Sequence, residues 1–129
     1  MKQGGRFATG WLLVAVGALC LANAGTVLAQ DAVQLHPDMF KVLVENDRVR
    51  VIDDLVPAGA KVGMHSHPEY VVYPLTSYTM KFTFPDGSSR VVEVQQGVAR
   101  YVPGMVHAEE NIGTTDAHAL LVELKPQPR

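Results

Sequence analysis

The chain has 129 residues, of which 47% are hydrophobic and 19% are charged, and its formal net charge is −2. This length suits one domain with its own core and excludes two ordinary domains, and the composition excludes a disordered chain. Because the net charge is small and no basic cluster is present, neither nucleic acid nor an anionic membrane is expected as a partner.

The first 29 residues have the order of a secretory signal peptide. Lys2 and Arg6 provide a positive start, residues 11–21 form an uncharged and largely apolar run, and small residues lead to Val27-Leu28-Ala29. This order predicts cleavage after Ala29, which leaves 100 residues. We therefore expect a periplasmic or secreted protein with no membrane attachment after cleavage.

Two other interpretations of this segment stay open. A permanent membrane anchor needs about 20 apolar residues, and Asn23 and Gly25 interrupt the run. Lipoprotein processing before Cys20 requires a small residue ahead of the cysteine, where Leu19 stands. Cys20 is also the only cysteine, so the cleaved chain would contain no disulfide, no thiolate nucleophile and no cysteine metal ligand.

From residue 40 onward the sequence predicts short β-strands. No segment after the predicted cleavage site, residues 30–39 included, shows the three-to-four-residue repeat of an amphipathic helix. Met80, Phe82 and Phe84 alternate onto one face, and Pro85-Asp86-Gly87-Ser88 after them predicts a hairpin. The run at 70–75 is continuously apolar, as in a strand buried on both faces. The predicted strands are 40–44, 48–56, 70–75, 79–84, 89–94, 98–102 and 117–124.

Such a series of strands without intervening helices predicts an all-β sandwich or closed barrel. Closure is favoured because it removes free sheet edges that would pair with other chains. No repeat or linker divides the series. We expect one domain at residues 40–126, preceded by an approach segment at 30–39.

Three histidines are the candidate metal ligands. His65 and His67 stand two residues apart in a strand, so their side chains project from the same face. His107 follows about forty residues later, and a barrel can bring its strand beside the first. Imidazole ligands suit one divalent Fe, Mn, Ni, Cu or Zn ion. The other histidines are expected to be structural or solvent-facing and a nearby acidic pair to form a solvated loop edge: His36, His118, Glu109 and Glu110.

These residues carry a resemblance to the cupin superfamily. Its first motif is a glycine, a spacer, His-x-His and a glutamate, and its second is a glycine, a proline, a histidine and an asparagine. The sequence is similar to both motifs, with the proline-to-histidine loop one residue short, at Gly59, His65, His67, Gly97, Pro103, His107 and Asn111. The resemblance implies a double-stranded β-helix, or jelly-roll barrel, across residues 40–124, in which the three motif histidines bind the metal.

The fourth ligand of the family has no direct counterpart. By spacing from His67, the family's glutamate falls at residues 71–72, which are both valine. Glu69 keeps a two-residue offset from His67, provided that Pro68 does not break the alternation, and Tyr70 fits an alignment on the end of the strand. The fourth ligand is therefore Glu69, Tyr70 or water, and Glu69 is favoured.

The sequence leaves more than one function open. The favoured one is an exported cupin that holds one divalent metal and binds a small organic molecule at the open coordination positions. The alternative is a metal-dependent dioxygenase or isomerase in which Glu69 or Tyr70 moves a proton on a small polar substrate. A metal-free barrel that binds a small ligand or has a structural role is a second alternative, and a chain of this size without disulfides allows a homodimer. The expected lining of the barrel mouth is Met64, Tyr73, Met80, Phe82 and Met105.

Overall fold

The structure is a computed structural model, and it describes residues 30–127. The predicted signal peptide at 1–29 lies outside the described residues. In the described part of the chain, no helix has the length and apolar character that crossing a bilayer requires. The elements are β1 (Gln30–Asp31), α1 (Ala32–Leu35), β2 (Phe40–Glu45), β3 (Val49–Val56), β4 (Lys61–His67), β5 (Tyr70–Pro74), β6 (Tyr78–Thr83), β7 (Ser89–Val94), β8 (Arg100–Val102), β9 (Met105–Asn111) and β10 (Ala117–Leu124).

Two five-stranded sheets enclose the core. One has the strand order β1-β4-β9-β6-β7, and the other has the order β2-β3-β10-β5-β8. Neighbouring strands are antiparallel except β1, which pairs with β4 in parallel. Successive parts of the chain pass between the two sheets, as in a double-stranded β-helix. The predicted all-β jelly-roll class is confirmed.

The hairpin between β6 and β7 forms where the turn residues predict it. Gly87 has φ +83°, a left-handed conformation that glycine adopts without a steric cost. The Phe84 amide donates to the Ser88 carbonyl at 2.8 Å, and the Asp86 carboxylate accepts from the Ser88 amide at 2.9 Å. These bonds fix the register that turns Met80 toward the barrel interior.

Two sequence expectations about local structure are wrong. Strand β5 is not buried on both faces, because the Tyr73 side chain points outward and is 44% exposed. Residues 32–35, in a stretch without helical periodicity, form one turn of helix. The Asp31 carboxylate caps this turn by accepting from the Val33 amide at 2.9 Å, a local contact that periodicity does not report.

The apolar core supports the histidines from one side. Ile52 and Val56 on the inner face of β3 have no exposed surface. The Phe40 ring is also buried, and its centroid lies 5.9 Å from that of His65 and 6.5 Å from that of His67. Because protein interiors are close-packed, these contacts limit the positions that the two imidazoles can take.

Candidate metal centre and adjoining cavity

Strands β4 and β9 place the three candidate histidines at one point inside the barrel. His65 and His67 alternate onto the inner face of β4. His107 lies directly opposite His65 on the neighbouring strand β9. All three side chains are buried. The structure therefore brings together the three residues whose spacing predicted that they converge.

The ε-nitrogen atoms of these rings point toward one another. The Nε2 atom of His65 lies 3.0 Å from Nε2 of His67 and 3.0 Å from Nε2 of His107. The ligand atoms of all three residues lie within 4.8 Å of one another. Within residues 30–127, this is the one group of histidine, cysteine or acidic side chains that could hold a metal ion.

The other ring nitrogen, Nδ1, forms a hydrogen bond in each of the three histidines. Each Nδ1 donates to a group that can only accept: His65 to the Gly63 carbonyl at 2.8 Å, His67 to the Glu123 carboxylate at 2.8 Å, and His107 to the Met105 sulfur at 3.0 Å. A ring that donates from Nδ1 carries its free lone pair on Nε2. Three lone pairs that face one another repel unless a cation lies among them, so this donor set fits a metal ion.

Burial keeps two of these rings in the metal-binding form. It lowers the pKa of His65 to about 4 and that of His107 to about 3, and the neighbouring histidines add to both shifts. Both imidazoles are therefore neutral at pH 7. A neutral imidazole is the form that coordinates a metal, so binding would release no proton from these two residues at that pH.

A series of hydrogen-bonded charged side chains orients His67 through its Nδ1 atom. Glu123 is buried on β10 and accepts from Nδ1 of His67 and from Nε of Arg50, the latter at 2.7 Å. Arg50 also donates to the carboxylate of Asp31 at the start of α1. The orientation of one candidate ligand is thus connected to β10, β3 and the first described residues of the chain.

A cavity of about 520 Å³ opens beside the histidines. His67 and His107 form part of its wall. The centroid of the Tyr70 ring lies 5.2 Å from that of His67, and the centroid of the Phe82 ring lies 5.1 Å from that of His107. The walls also include Val72, Tyr78, Met80, Met105 and Leu121. A largely apolar space of this volume suits a small organic molecule.

Comparison with solved structures finds the same barrel. A cupin domain from Bordetella pertussis Tohama I is 30% identical, with a TM-score of 0.63, and the alignment covers 67% of this chain and 92% of that domain. The chain belongs to the cupin superfamily.

More distant solved structures share the fold. An RmlC-like cupin from Methanocaldococcus jannaschii is 19% identical, with a TM-score of 0.53 over 67% of this chain and 78% of that one. The polyketide cyclase RemF from Streptomyces resistomycificus is 24% identical, with a TM-score of 0.53 over 70% of this chain and 66% of that one. No protein-family model and no curated protein matches the chain.

In this cupin Glu69 lies away from the histidines. Strand β4 ends at His67 and β5 begins at Tyr70, so Pro68 interrupts the alternation before it reaches Glu69. The Glu69 side chain is exposed, and its carboxylate accepts from the Tyr101 hydroxyl at 2.6 Å. The expectation that Glu69 is the fourth ligand or moves a proton is corrected by this position.

Tyr70 lies on the cavity wall beside His67, where a bound molecule can reach it. Its role in proton transfer or as a ligand stays a prediction. Val72, one of the two positions where spacing places the family's glutamate, faces the same cavity and offers no ligand atom. Among the expected mouth residues the cavity wall includes Met80, Phe82 and Met105, and it does not include Met64 or Tyr73.

Sequence reasoning missed two carboxylates in the cavity wall. Glu109, expected at a solvated edge, is only 8% exposed, because it follows His107 by two residues and shares the inner face of β9. That alternation was the available signal. Asp54 reaches the cavity from β3 in the opposite sheet, between the fully buried Ile52 and Val56. No local pattern marks Asp54 as part of the site.

The other residues expected at the surface have structural roles. Glu110 turns away from the barrel interior and pairs with Lys61 at 3.3 Å. The partly exposed ring of His118 is bound to Asp53 through Nε2 at 2.7 Å. The half-buried His36 closes α1 with its backbone amide, which donates to the Ala32 carbonyl at 2.9 Å.

Proposed function

We propose that this cupin holds one divalent transition metal on His65, His67 and His107 and binds a small organic molecule in the adjoining cavity. One observation carries the metal assignment: three buried Nε2 atoms converge, and an acceptor occupies the Nδ1 atom of each ring. Fe, Mn, Zn, Ni and Cu all accept such ligands. A bound ion of this kind would act as a Lewis acid on an oxygen or nitrogen atom of the ligand.

The cavity supports the second half of this proposal. His67 and His107 belong both to the candidate metal centre and to the cavity wall. A molecule held against Tyr70 and Phe82 therefore lies beside the coordination positions that the protein leaves open. The apolar walls would exclude water from it and hold its body, while the metal site would fix its polar group.

Metal analysis of the purified protein tests the assignment. We expect about one ion per chain in the wild type and loss of the ion in His65→Ala and His107→Ala. His118→Ala is the control, because that histidine is hydrogen-bonded to Asp53 and lies outside the cluster. Retention of the metal by both cluster variants, or its loss in the control, would contradict the proposal and favour a metal-free barrel.

Export is part of the same proposal. The order of charged, apolar and small residues at 1–29 supports it, and it predicts that the exported protein begins at Gln30. N-terminal sequencing of protein recovered from the periplasm or medium tests this. An intact Met1, or a chain that remains in the membrane fraction, would contradict it.

A metal-dependent dioxygenase or isomerase is the second candidate. The position of Tyr70 favours it, since its ring contacts His67 and faces the cavity, where its hydroxyl can hold or move a proton on a bound molecule. Burial raises the pKa of Tyr70, so its hydroxyl stays protonated at pH 7. Oxygen uptake and product analysis with small hydroxylated compounds test this, with Tyr70→Phe as the variant that retains the ring.

A further inference from the structure

Two carboxyl groups, each with a buried oxygen atom, line the cavity outside the histidine cluster. Glu109 comes from β9, and Asp54 comes from β3 in the other sheet. Neither belongs to the group whose ligand atoms lie within reach of one ion, so the candidate metal centre does not account for them. They therefore form a separate polar part of the same cavity.

Both carboxyl groups have an oxygen atom without a partner. Among the described residues, Oε1 of Glu109 and Oδ1 of Asp54 are buried side-chain atoms with no hydrogen bond. Glu123, a carboxylate with a structural role in the same barrel, differs from them because both of its oxygens accept hydrogen bonds, from His67 and Arg50. An unpaired buried carboxylate destabilises the fold. Two such groups facing a cavity indicate that a ligand supplies the missing partner.

The surroundings of the pair favour a positive charge. Burial raises the pKa of Asp54 well above its ordinary value, and the neighbouring charge of Glu109 adds to that shift. A cation beside the two groups would relieve this penalty. The cations that line the cavity, Arg90 and Arg100, are exposed, and no ion pair joins either of them to the two carboxyl groups within residues 30–127.

We propose that Asp54 and Glu109 form a subsite for the protonated amino group of a small organic ligand. The apolar body of that ligand lies against Met80 and Phe82, and the Tyr70 ring is available for a cation–π contact. This inference rests on the proposed function, because it names the ligand class of the same cavity. An anionic group is repelled at this position.

Calorimetric titration with three probes of similar shape tests the charge preference. The probes are 2-phenylethylamine, 2-phenylethanol and 3-phenylpropionate, each titrated into the wild-type protein at pH 7.4, where the amine is protonated. We expect the amine to bind about tenfold more tightly than the alcohol, and the propionate to bind most weakly. Equal affinity for the amine and the alcohol would overturn the proposal.

A variant of a neighbouring acid gives a matched control. Glu109→Gln and Asp54→Asn should each weaken 2-phenylethylamine binding about tenfold and leave 2-phenylethanol binding unchanged. Glu110→Gln removes a charge one residue from Glu109, from a side chain that pairs with Lys61 outside the cavity, and should leave the affinity unchanged. Circular dichroism checks that each variant folds, and two independent subsite variants keep the test decisive if one does not fold.

The His65→Ala variant separates this inference from the metal assignment, since a free amine can also bind a metal. We expect 2-phenylethylamine to bind His65→Ala, and Glu109→Gln to weaken that binding in the same background. Benzyltrimethylammonium, a cation that cannot coordinate a metal and has no N–H group, tests the charge alone, and Glu109→Gln should weaken its binding too. The subsite would be overturned if His65→Ala no longer bound the amine and Glu109→Gln had no effect on amine binding. It would also be overturned if the single variant Glu109→Gln lost the metal, because Glu109 would then act through the metal centre.

Discussion

Nδ1 of His67 donates to the carboxylate of Glu123 at 2.8 Å, across the gap between the two sheets of the barrel. The same carboxylate accepts from Arg50, so its charge is compensated where solvent cannot reach it. A carboxylate behind a histidine fixes the ring orientation and makes Nε2 a stronger donor to a metal. The quality of the metal centre therefore depends on a residue that is not itself a ligand.

We expect Glu123→Gln to weaken metal binding. An amide accepts a weaker hydrogen bond than a carboxylate, and the loss of such a partner typically lowers metal affinity about 10- to 100-fold. Zinc titration in competition with a chelating dye measures the change. Asp53→Asn alters the same kind of carboxylate–histidine bond at His118, outside the site, and should leave the affinity unchanged. Equal affinities for all three proteins would show that Glu123 does not support the site.

Arg50→Met is expected to destabilise the metal-free fold. It leaves the buried charge of Glu123 with His67 as its remaining partner and also removes the partner of Asp31. Breaking a buried ion pair on one side should lower the free energy of unfolding by about 2–4 kcal/mol. Urea denaturation followed by fluorescence measures the loss.

Lys61→Met provides the comparison for Arg50→Met. It breaks the exposed pair with Glu110, and such surface pairs contribute less than about 1 kcal/mol. If the two variants lose the same free energy of unfolding, burial does not make the Arg50–Glu123 pair contribute more than the exposed pair.

The sequence predicted the part of the site that local spacing determines. The two-residue offset of His65 and His67, and the second motif around His107, were sufficient to predict that three imidazoles meet. The same two-residue rule, applied from His107, would have placed Glu109 on the inner face. It failed for Glu69, because the strand ends before that residue and the alternation ends with it.

The rest of the site depends on contacts between distant strands. Glu123 reaches His67 because β10 lies between β3 and β5, with Glu123 opposite Arg50 in one register and Tyr70 in the other. Asp54 joins the cavity because β3 faces the sheet that carries β9. One-residue shifts in these registers would turn the same side chains outward, and no local sequence pattern determines them.

The stability of metal-free protein should depend on pH through Asp54. In the folded state burial raises its pKa, and the groups that face it are Glu109, Tyr70, Tyr78 and the adjacent Asp53. Between the ordinary pKa of Asp54 in the unfolded chain and its raised pKa in the folded state, the folded protein binds more protons than the unfolded chain does. The free energy of unfolding therefore falls as pH rises through this range.

Asp54→Asn removes that pH-dependent loss. We expect this variant to be more stable than the wild type by about 1–3 kcal/mol at pH 8, with a difference that shrinks toward pH 4. Urea unfolding at several pH values checks this, with Glu110→Gln as the control, because Glu110 turns away from the cavity and pairs with Lys61. A constant difference across the range would show that Asp54 is not held in its protonated form by the fold.

Gly104, in the loop before β9, packs against the backbone of the segment that follows β4 and so limits the position of His67. A Cβ atom at this position would lie 3.3 Å from the His67 carbonyl oxygen and 3.4 Å from the Glu69 amide nitrogen. Backbone atoms at the end of β4 cannot yield without moving His67, so Gly104→Ala should weaken metal binding several-fold as well as lower stability. Gly87→Ala is the control. Its Cβ atom meets no atom within 4 Å, but the residue has φ +83°, so the substitution strains the backbone and lowers the free energy of unfolding by about 1–2 kcal/mol.

Zinc titration and urea unfolding of both variants measure the effects on metal affinity and on stability. A loss of metal affinity in Gly87→Ala equal to that in Gly104→Ala would mean that global stability, and not the position of His67, determines metal binding.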